Sequence, residues 1–416
     1  MRITTVRLTP VAVPDVPLLN LKGVHQAVFL RTIIELETDE GLTGLGETYG
    51  AARTLNGLRK VADNLVGLDP FHLNDLAARV AANLPAGAGI NAPTALTDHR
   101  LVDVVFSAFE VACMDLQGKA LGRPVSDLLG GAVRDHVRFG GYLFYKFAKP
   151  ADQVGEDMFG EVLSPETLVA QAQAMHAAHG FRSFKLKGGV LPPEEELESI
   201  LRLRAAFPGA ALRIDPMGAW TVPTARRMAY EMRDLLEYLE DPSPGMNGMA
   251  ELAQDCPLPL ATNLVVVQTD QLFEAKSRNA VQIVLSDHHY WRGMTGAAEL
   301  GRICAAAGMG VSMHSNSHLG ISLAAMVHVA AATPTLTYDS DTHYSWTRDE
   351  VIKGGKVAFV DGTLTVPTAP GLGVELDPGA LERLHRLYLT AEVKDRDDTA
   401  EIRKYLPDFI RTVPKW

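Results

Sequence analysis

The chain has 416 residues, 47% of them hydrophobic and 21% charged, which is ordinary globular material for two or three domains. Its formal net charge of −11 argues against a nucleic-acid partner, but leaves room for a small anion met by a local basic cluster. No apolar run reaches the length of a membrane-spanning helix, so no membrane role is expected.

The opening "MRITTVRLTPVAV" alternates polar and apolar residues like a strand and lacks the apolar core of a signal peptide. Cys113, Cys256 and Cys304 are far apart and follow no metal-ligand spacing. They read as reduced thiols, which suits a cytoplasmic protein. Residues 1–130 form an α+β region: strand-like runs, a turn at "TDEGLTG", then helical stretches such as "LVDVVFSAFEVACMDLQGKALG". Residues 131–348 alternate short β-type runs with amphipathic segments. The runs are "VRFGGYLFY", "SFKLKGG", "LRIDPMGAW", "YLEDP", "LPLATN", "VQIVLSD", "GVSMHSNS" and "TLTYDSDTH". One intervening segment, "SPETLVAQAQAMHAAHG", offers Ser164 as an N-cap and Gly180 as a stop. Eight such units predict an α/β fold, a parallel (β/α) barrel of the TIM type. Residues 349–416 read as a hairpin in "GKVAFVDGTLTVPTAPGLGVELD" and a helical tail, too few for a core of their own and expected to pack on the N-terminal region.

The polar residues ending the runs are Lys187, Asp215, Glu240, Asn263, Asp287, His314 and His343, spaced 28, 25, 23, 24, 27 and 29 apart. One βα unit takes roughly 25 to 30 residues, so each falls at the C-terminal end of a strand, where barrel enzymes keep their chemistry. Asp215, Glu240 and Asn263 supply only oxygen donors, a set suited to Mg²⁺. Lys185 and Lys187 share one face of a strand. A lysine has an ordinary pKa of ~10.4, and bringing it near neutrality takes roughly 4 kcal/mol. A second ammonium at about 4 Å supplies about that much at an effective dielectric near 20. Lys187 is therefore read as a base tuned by Lys185, which also suits a substrate carboxylate. Asp287 next to His314 would fix the imidazole tautomer and support its charged form. A base on each side of a metal-held carboxylate suits abstraction of the adjacent carbon-bound proton, followed by loss of water. A metal hydrolase built on His288, His289, His314 and His318 is the weaker alternative. His314 and His318 have helical spacing, but no glutamate completes the motif.

"FKLKGGV", "DPMGAW", "YLEDP", "PLATN", "MHSNSHLGISLAAMVHVAAATP", "DTH" and "RDD" together resemble the enolase superfamily, and within it the glucarate dehydratases. The resemblance implies an α+β capping domain made from the N-terminal region and the C-terminal tail, closing over the barrel on a dicarboxylate sugar acid. It also implies substrate contacts at His25, Tyr142, Asn316, His343 and Arg396, besides Lys185 and Asn263. Two positions depart from the family pattern. Met217 replaces an asparagine, and Met246 stands where relatives can carry a ligand glutamate. A thioether is too soft for Mg²⁺, which leaves the ligand at Glu240. The expected activity is Mg²⁺-dependent dehydration of an aldarate, most simply D-glucarate, by a homo-oligomer. An epimerase with the same two bases, or a catalytically silent relative, is the alternative.

Overall fold

The computed structural model describes residues 1–85, 87, 89–91, 98–151 and 159–416. Near the N-terminus, β1 (Ile3–Pro14), β2 (Val28–Thr38) and β3 (Thr43–Tyr49) form an antiparallel sheet in that order. The β2–β3 turn passes through Gly41 at φ 78°, the left-handed conformation that glycine adopts without cost. Helices α1 (Ala52–Ala62), α2 (Leu73–Asn83) and α3 (Leu101–Leu121) follow. The sequence of α3 is apolar almost all round, and the helix is correspondingly buried along nearly its whole length. It lies directly on β3. A Cβ added to Gly44 would come within 2.2 Å of the Ala112 carbonyl oxygen, and one on Gly46 within 2.6 Å of that of Ala108.

Eight parallel strands then build the barrel: β4 (His136–Phe144), β5 (Ser183–Lys187), β6 (Ala211–Asp215), β7 (Tyr238–Glu240), β8 (Leu260–Thr262), β9 (Ile283–Ser286), β10 (Gly310–Met313) and β11 (Ser340–Thr342). They pair in sequence order, and β11 returns to pair with β4 through Ser340 opposite Phe139. Between β10 and β11 a single bridge, Val311 to Leu336, nearly closes the ring. The connecting helices include α4 (Pro165–His179), α5 (Pro193–Ala206), α6 (Val222–Glu231), α7 (Gly245–Leu252), α8 (Thr269–Ser277), α9 (Gly293–Ala307) and α10 (Gly320–Ala332). As the sequence suggests, Ser164 caps α4 by accepting from the Thr167 amide, and Gly180 ends it at φ 73°.

The last stretch divides its contacts. The expected hairpin is present only at its turn: Val360 and Thr363 exchange backbone hydrogen bonds at 3.0 and 2.9 Å across Asp361 and Gly362, both at positive φ, and β12 (Thr363–Thr365) then lies antiparallel on β4. Helix α11 (Pro378–Thr390) packs on β1, with Leu384 buried and His385 Nδ1 2.7 Å from the Pro10 oxygen. The final residues return to the barrel, where the Lys415 and Trp416 amides donate to the Ala219 oxygen at 2.7 and 2.9 Å.

The close approach of α3 to β3 predicts that Gly44→Val destabilises the protein by about 1–3 kcal/mol, as overpacking does. The neighbour there is main chain and cannot swing away. Denaturant unfolding of the variant against the wild type measures the loss.

Candidate active site

The barrel mouth gathers the residues singled out by spacing. Lys187, Asp215 and Glu240 are the last residues of β5, β6 and β7. Asn263, Asp287, His314 and His343 each follow directly on β8, β9, β10 and β11. All seven are buried.

The two lysines behave differently from the sequence expectation. Lys185 does press the Lys187 pKa down, but the push is outweighed, because each ammonium is bound by carboxylates the sequence cannot show beside it. Lys185 Nζ lies 2.7 Å from Glu240 Oε2 and 2.5 Å from Asp341 Oδ2. Lys187 Nζ lies 2.5 Å from Asp215 Oδ2. Burial alone would lower both pKa values. The pull of Asp341 and Glu240 on Lys185, and of Asp215 on Lys187, outweighs it and moves both upward. Glu240 is pushed well up, first by burial and then by Asp215, Asp341 and Asp241, although Lys185 opposes them. Asp241 is raised to about 7, mainly by burial and next by Asp215. It accepts from Thr262 Oγ1 at 2.5 Å and from the Asn263 and Leu264 amides at 2.8 and 3.1 Å. So many acids in one dry volume call for positive charge.

The donor set at the strand ends suits a hard divalent cation. Asp215 and Glu240 present buried carboxylates, and Asn263 Oδ1 has no hydrogen-bond partner among the described residues. An orphaned buried carbonyl beside two carboxylates on adjacent strands fits Mg²⁺. Met246 sits on α7, packed against the apolar core, whereas Glu240 ends β7 with its carboxylate buried. Met217 is fully buried at φ 57°, and its amide donates to Asp215 Oδ1 at 2.8 Å. Asparagine tolerates that left-handed conformation better than methionine does. Asp287, His288 and His289 have ligand-type atoms within 4.8 Å of one another. Both Asp287 oxygens are already used by imidazoles, and two nitrogens suit Mg²⁺ poorly.

His314 Nδ1 lies 2.9 Å from Asp287 Oδ2, and burial lowers the imidazole pKa against the opposing pull of Asp287. A neutral imidazole with Nδ1–H held by a carboxylate leaves Nε2 free to take a proton. Asp287 itself is held well below the carboxylate range: burial raises it, but His289 and His314 outweigh that.

Around the lysines, Tyr142 on β4 places its ring 4.8 Å from Lys185 Nζ and 5.8 Å from Lys187 Nζ. Burial raises its pKa to about 12, so it stays a phenol at neutral pH. The Tyr142 and His343 rings are 4.7 Å apart, and His343 and His25 6.0 Å. His25 Nδ1 meets Asp15 Oδ2 at 3.0 Å. Arg396 makes a double contact with Asp398, at 2.6 and 2.7 Å, and Asn316 Nδ2 donates to the Tyr49 hydroxyl at 3.1 Å. His25, Arg396 and Asn316 line a cavity together with Arg31, Tyr49 and Ala51. Tyr142, Lys185, Asn263, Asn316 and His343 thus lie on barrel strands or the loops that follow them, His25 in the loop before β2, and Arg396 in the C-terminal tail after α11.

The hydrolase alternative loses its geometric basis. His314 and His318 both precede α10, so they do not share a helical face. Sequence reasoning missed Asp241, Asp341, Arg31, Glu47 and the bonding of His289. Asp241 and Asp341 were visible as neighbours of chosen residues in "LEDP" and "SDTH". Nothing in the sequence links Arg31 or Glu47 to a barrel loop.

These features are those of a known class of proteins. Residues 3–130 match the mandelate racemase/muconate lactonizing enzyme N-terminal domain, and residues 167–380 the enolase C-terminal domain-like family. The chain belongs to the enolase superfamily. It is 48% identical, over its full length and 99% of the relative's, to a probable glucarate dehydratase of Streptomyces coelicolor. A crystal structure of an enolase from Thermobispora bispora complexed with magnesium and formate superposes with TM-score 0.97 at 50% identity, covering both chains completely. One from Pseudomonas fluorescens, with bound magnesium, potassium and tartrate, gives 0.96 at 49% identity, covering all of this chain and 99% of that one. Among the described residues, no helix is long and apolar enough to cross a membrane.

Removing Lys185 would strand two buried carboxylates. Lys185→Met is expected to cost about 3–5 kcal/mol, the usual result of breaking a buried pair. The check is a urea titration in the presence of a chelator.

Proposed function

We propose that this protein dehydrates an acid sugar, removing the proton next to a carboxylate and then water from the adjacent carbon, with an aldarate such as D-glucarate as the substrate. One observation carries the reading. Lys187 and the Asp287-held His314 flank a hard-oxygen donor set that includes the orphaned Asn263 Oδ1. Two proton-transfer groups beside a carboxylate-binding centre are what the reaction needs.

Asp215, Glu240 and Asn263 would hold Mg²⁺, which supplies neutralisation of the charge that grows on the substrate carboxylate as the carbon acid ionises. Neighbours of this fold are complexed with magnesium, which supports the choice. Lys187 is the group at one face of the reacting carbon. Lys187 Nζ, held 2.5 Å from Asp215 Oδ2, would be freer to exchange a proton once that carboxylate serves as a ligand. His314 Nε2 takes or gives the proton at the other face and protonates the departing hydroxyl. Lys185 stays charged between Glu240 and Asp341, whose oxygens take up its three N–H groups, and its positive field favours the substrate carboxylate. At the far end His25, Arg396 and Asn316 line the cavity where the second carboxylate and the hydroxyls fit. Relatives named dehydratases, and a neighbour holding tartrate, are consistent with a hydroxy-diacid substrate.

Two measurements test this. Mixing the protein and Mg²⁺ with a panel of acid sugars should give a 2-keto-3-deoxy product from at least one diacid. Asp215→Asn, Glu240→Gln or EDTA should each abolish it, with added Mg²⁺ reversing only the last. Full turnover after metal removal would end the reading. Arg396→Gln should raise KM for a diacid by about tenfold or more, the loss of a charged contact of roughly 1.5–3 kcal/mol. Mg²⁺ affinity should not change. An unaltered KM would remove Arg396 from the substrate contacts.

A further inference from the structure

Asp287 has one negative charge and two imidazole partners. His314 Nδ1 meets one carboxylate oxygen at 2.9 Å, and His289 Nδ1 meets the other at 2.7 Å, with the His289 amide adding a contact at 2.9 Å. If both rings could protonate, they would compete for the same charge. The environment of His289 decides between them.

Its Nε2 lies 2.6 Å from Arg31 Nη2 and 3.0 Å from Ser322 Oγ. A guanidinium has only donors, so Nε2 must accept, and the single ring proton of His289 must sit on Nδ1, facing Asp287. Arg31 is itself immobilised. Its Nε donates to Glu47 Oε1 at 2.7 Å and its Nη2 to Ser322 Oγ at 3.2 Å. Glu47 also accepts the Leu319 and Ser322 amides, each at 2.8 Å. The side chains of Arg31, Glu47, His289 and Asp287 are at most 3% exposed, so water does not compete for these bonds. An unbroken chain thus runs from β3 and β2 of the N-terminal sheet through His289 and Asp287 to His314.

We infer that Arg31 and His289 are positioning residues for His314: Arg31 locks His289 as the neutral Nδ1–H tautomer, so that the charge of Asp287 is reserved for the imidazolium that forms at His314. The inference rests on the proposed two-base reaction, since it assigns a role to groups behind one of the bases. His289 lies behind Asp287, and Arg31, although it also borders the cavity, reaches the base only through His289. Their effect passes through the orientation and proton inventory of the carboxylate. The His288 and Tyr49 rings lie tilted beside the His289 ring, with centroids at 4.1 and 5.2 Å.

The test uses His289→Gln, His289→Asn and Arg31→Lys in the full-length protein with Mg²⁺. Gln keeps an acceptor toward Arg31 but loses the donor at the Nδ1 position. Asn keeps that donor and loses the acceptor. Arg31→Lys keeps charge beside Glu47 and withdraws the nitrogen from His289. In D₂O, exchange of the α-proton is followed by NMR for the two epimers of a processed acid sugar. His289→Gln should slow exchange on the His314 face by about 10–100-fold while leaving the Lys187 face and KM within about twofold, and Arg31→Lys, whose side chain also borders the cavity, should slow the His314 face relative to the Lys187 face by a similar factor. His289→Asn should recover part of the loss. Equal loss on both faces, or no loss, in variants with wild-type circular dichroism would overturn the inference.

Ring-nitrogen NMR of ¹⁵N-histidine protein, without substrate, separates this from failure of the proposed function. The wild-type His314 signal, assigned by its disappearance in His314→Gln, should be that of an Nδ1–H tautomer. His289→Gln should convert it to a mixture. If no acid sugar exchanges at all, the proposed reaction is wrong, and the tautomer result alone decides the positioning claim. An unchanged His314 signal in His289→Gln sinks it. Should His289→Gln fail to fold, Arg31→Lys carries the same comparison.

Discussion

The site depends on charge neutrality in a volume from which water is excluded. Lys185 joins Glu240 on β7 to Asp341 on β11 across the barrel interior, and Arg213 sits below, 3.6 Å from Asp341 and 2.7 Å from Glu237. Barrel interiors are normally filled by branched apolar side chains. Here acids and bases replace part of that filling, and each is tolerable only because the next is present. The arrangement is therefore specific before it is stabilising. It fixes the Lys185 ammonium at one point, and leaves Asp215, Glu240 and the Asn263 carbonyl with more electron density than the lysines alone satisfy.

The N-terminal sheet and α3 are part of this constraint. Glu110 on α3 accepts the Met294 and Thr295 amides at the start of α9, at 2.9 and 3.0 Å, and Ser107 accepts the Gly293 amide at 2.8 Å. Glu47 does the same for the Leu319 and Ser322 amides around the start of α10. A carboxylate at a helix N-terminus satisfies orphaned donors and meets a favourable dipole. Even so, burial raises the Glu110 pKa to about 7, because no cation accompanies it. The helices capped in this way are the two that follow the Asp287 and His314 loops. Precision at those loops is thus drawn from outside the barrel.

That division explains what the sequence could convey. The fold, and the strand-end positions of the seven spaced residues, were legible because each βα unit is local and nearly constant in length. Ser164 and Gly180 were legible for the same reason. The direction of the lysine pKa shifts was not. Two ammoniums two residues apart predict mutual depression, and only the long-range partners Asp341, Glu240 and Asp215 reverse it. Arg31 and His289 are 258 residues apart, a separation that no periodicity reports. The hairpin expected near Val360 was legible at its Asp361–Gly362 turn, but not in its partner, since β12 pairs with β4 beyond that turn.

Met217 shows the same limit at a single residue. Read along the chain, it is an apolar substitution in a polar motif. In the fold it occupies a left-handed position at φ 57°, with its amide bound to Asp215 and its side chain fully buried. An unbranched residue in that conformation costs of order 1 kcal/mol, an expense that the surrounding structure must offset. The Asp215 contact comes from the main chain, so methionine preserves the orientation of that carboxylate as asparagine would. What changes is the face the residue shows its surroundings, from an amide to a thioether. The geometry of the carboxylate is thus uncoupled from the chemistry of the neighbouring side chain, which lets the polarity beside Asp215 vary without moving the groups that exchange protons.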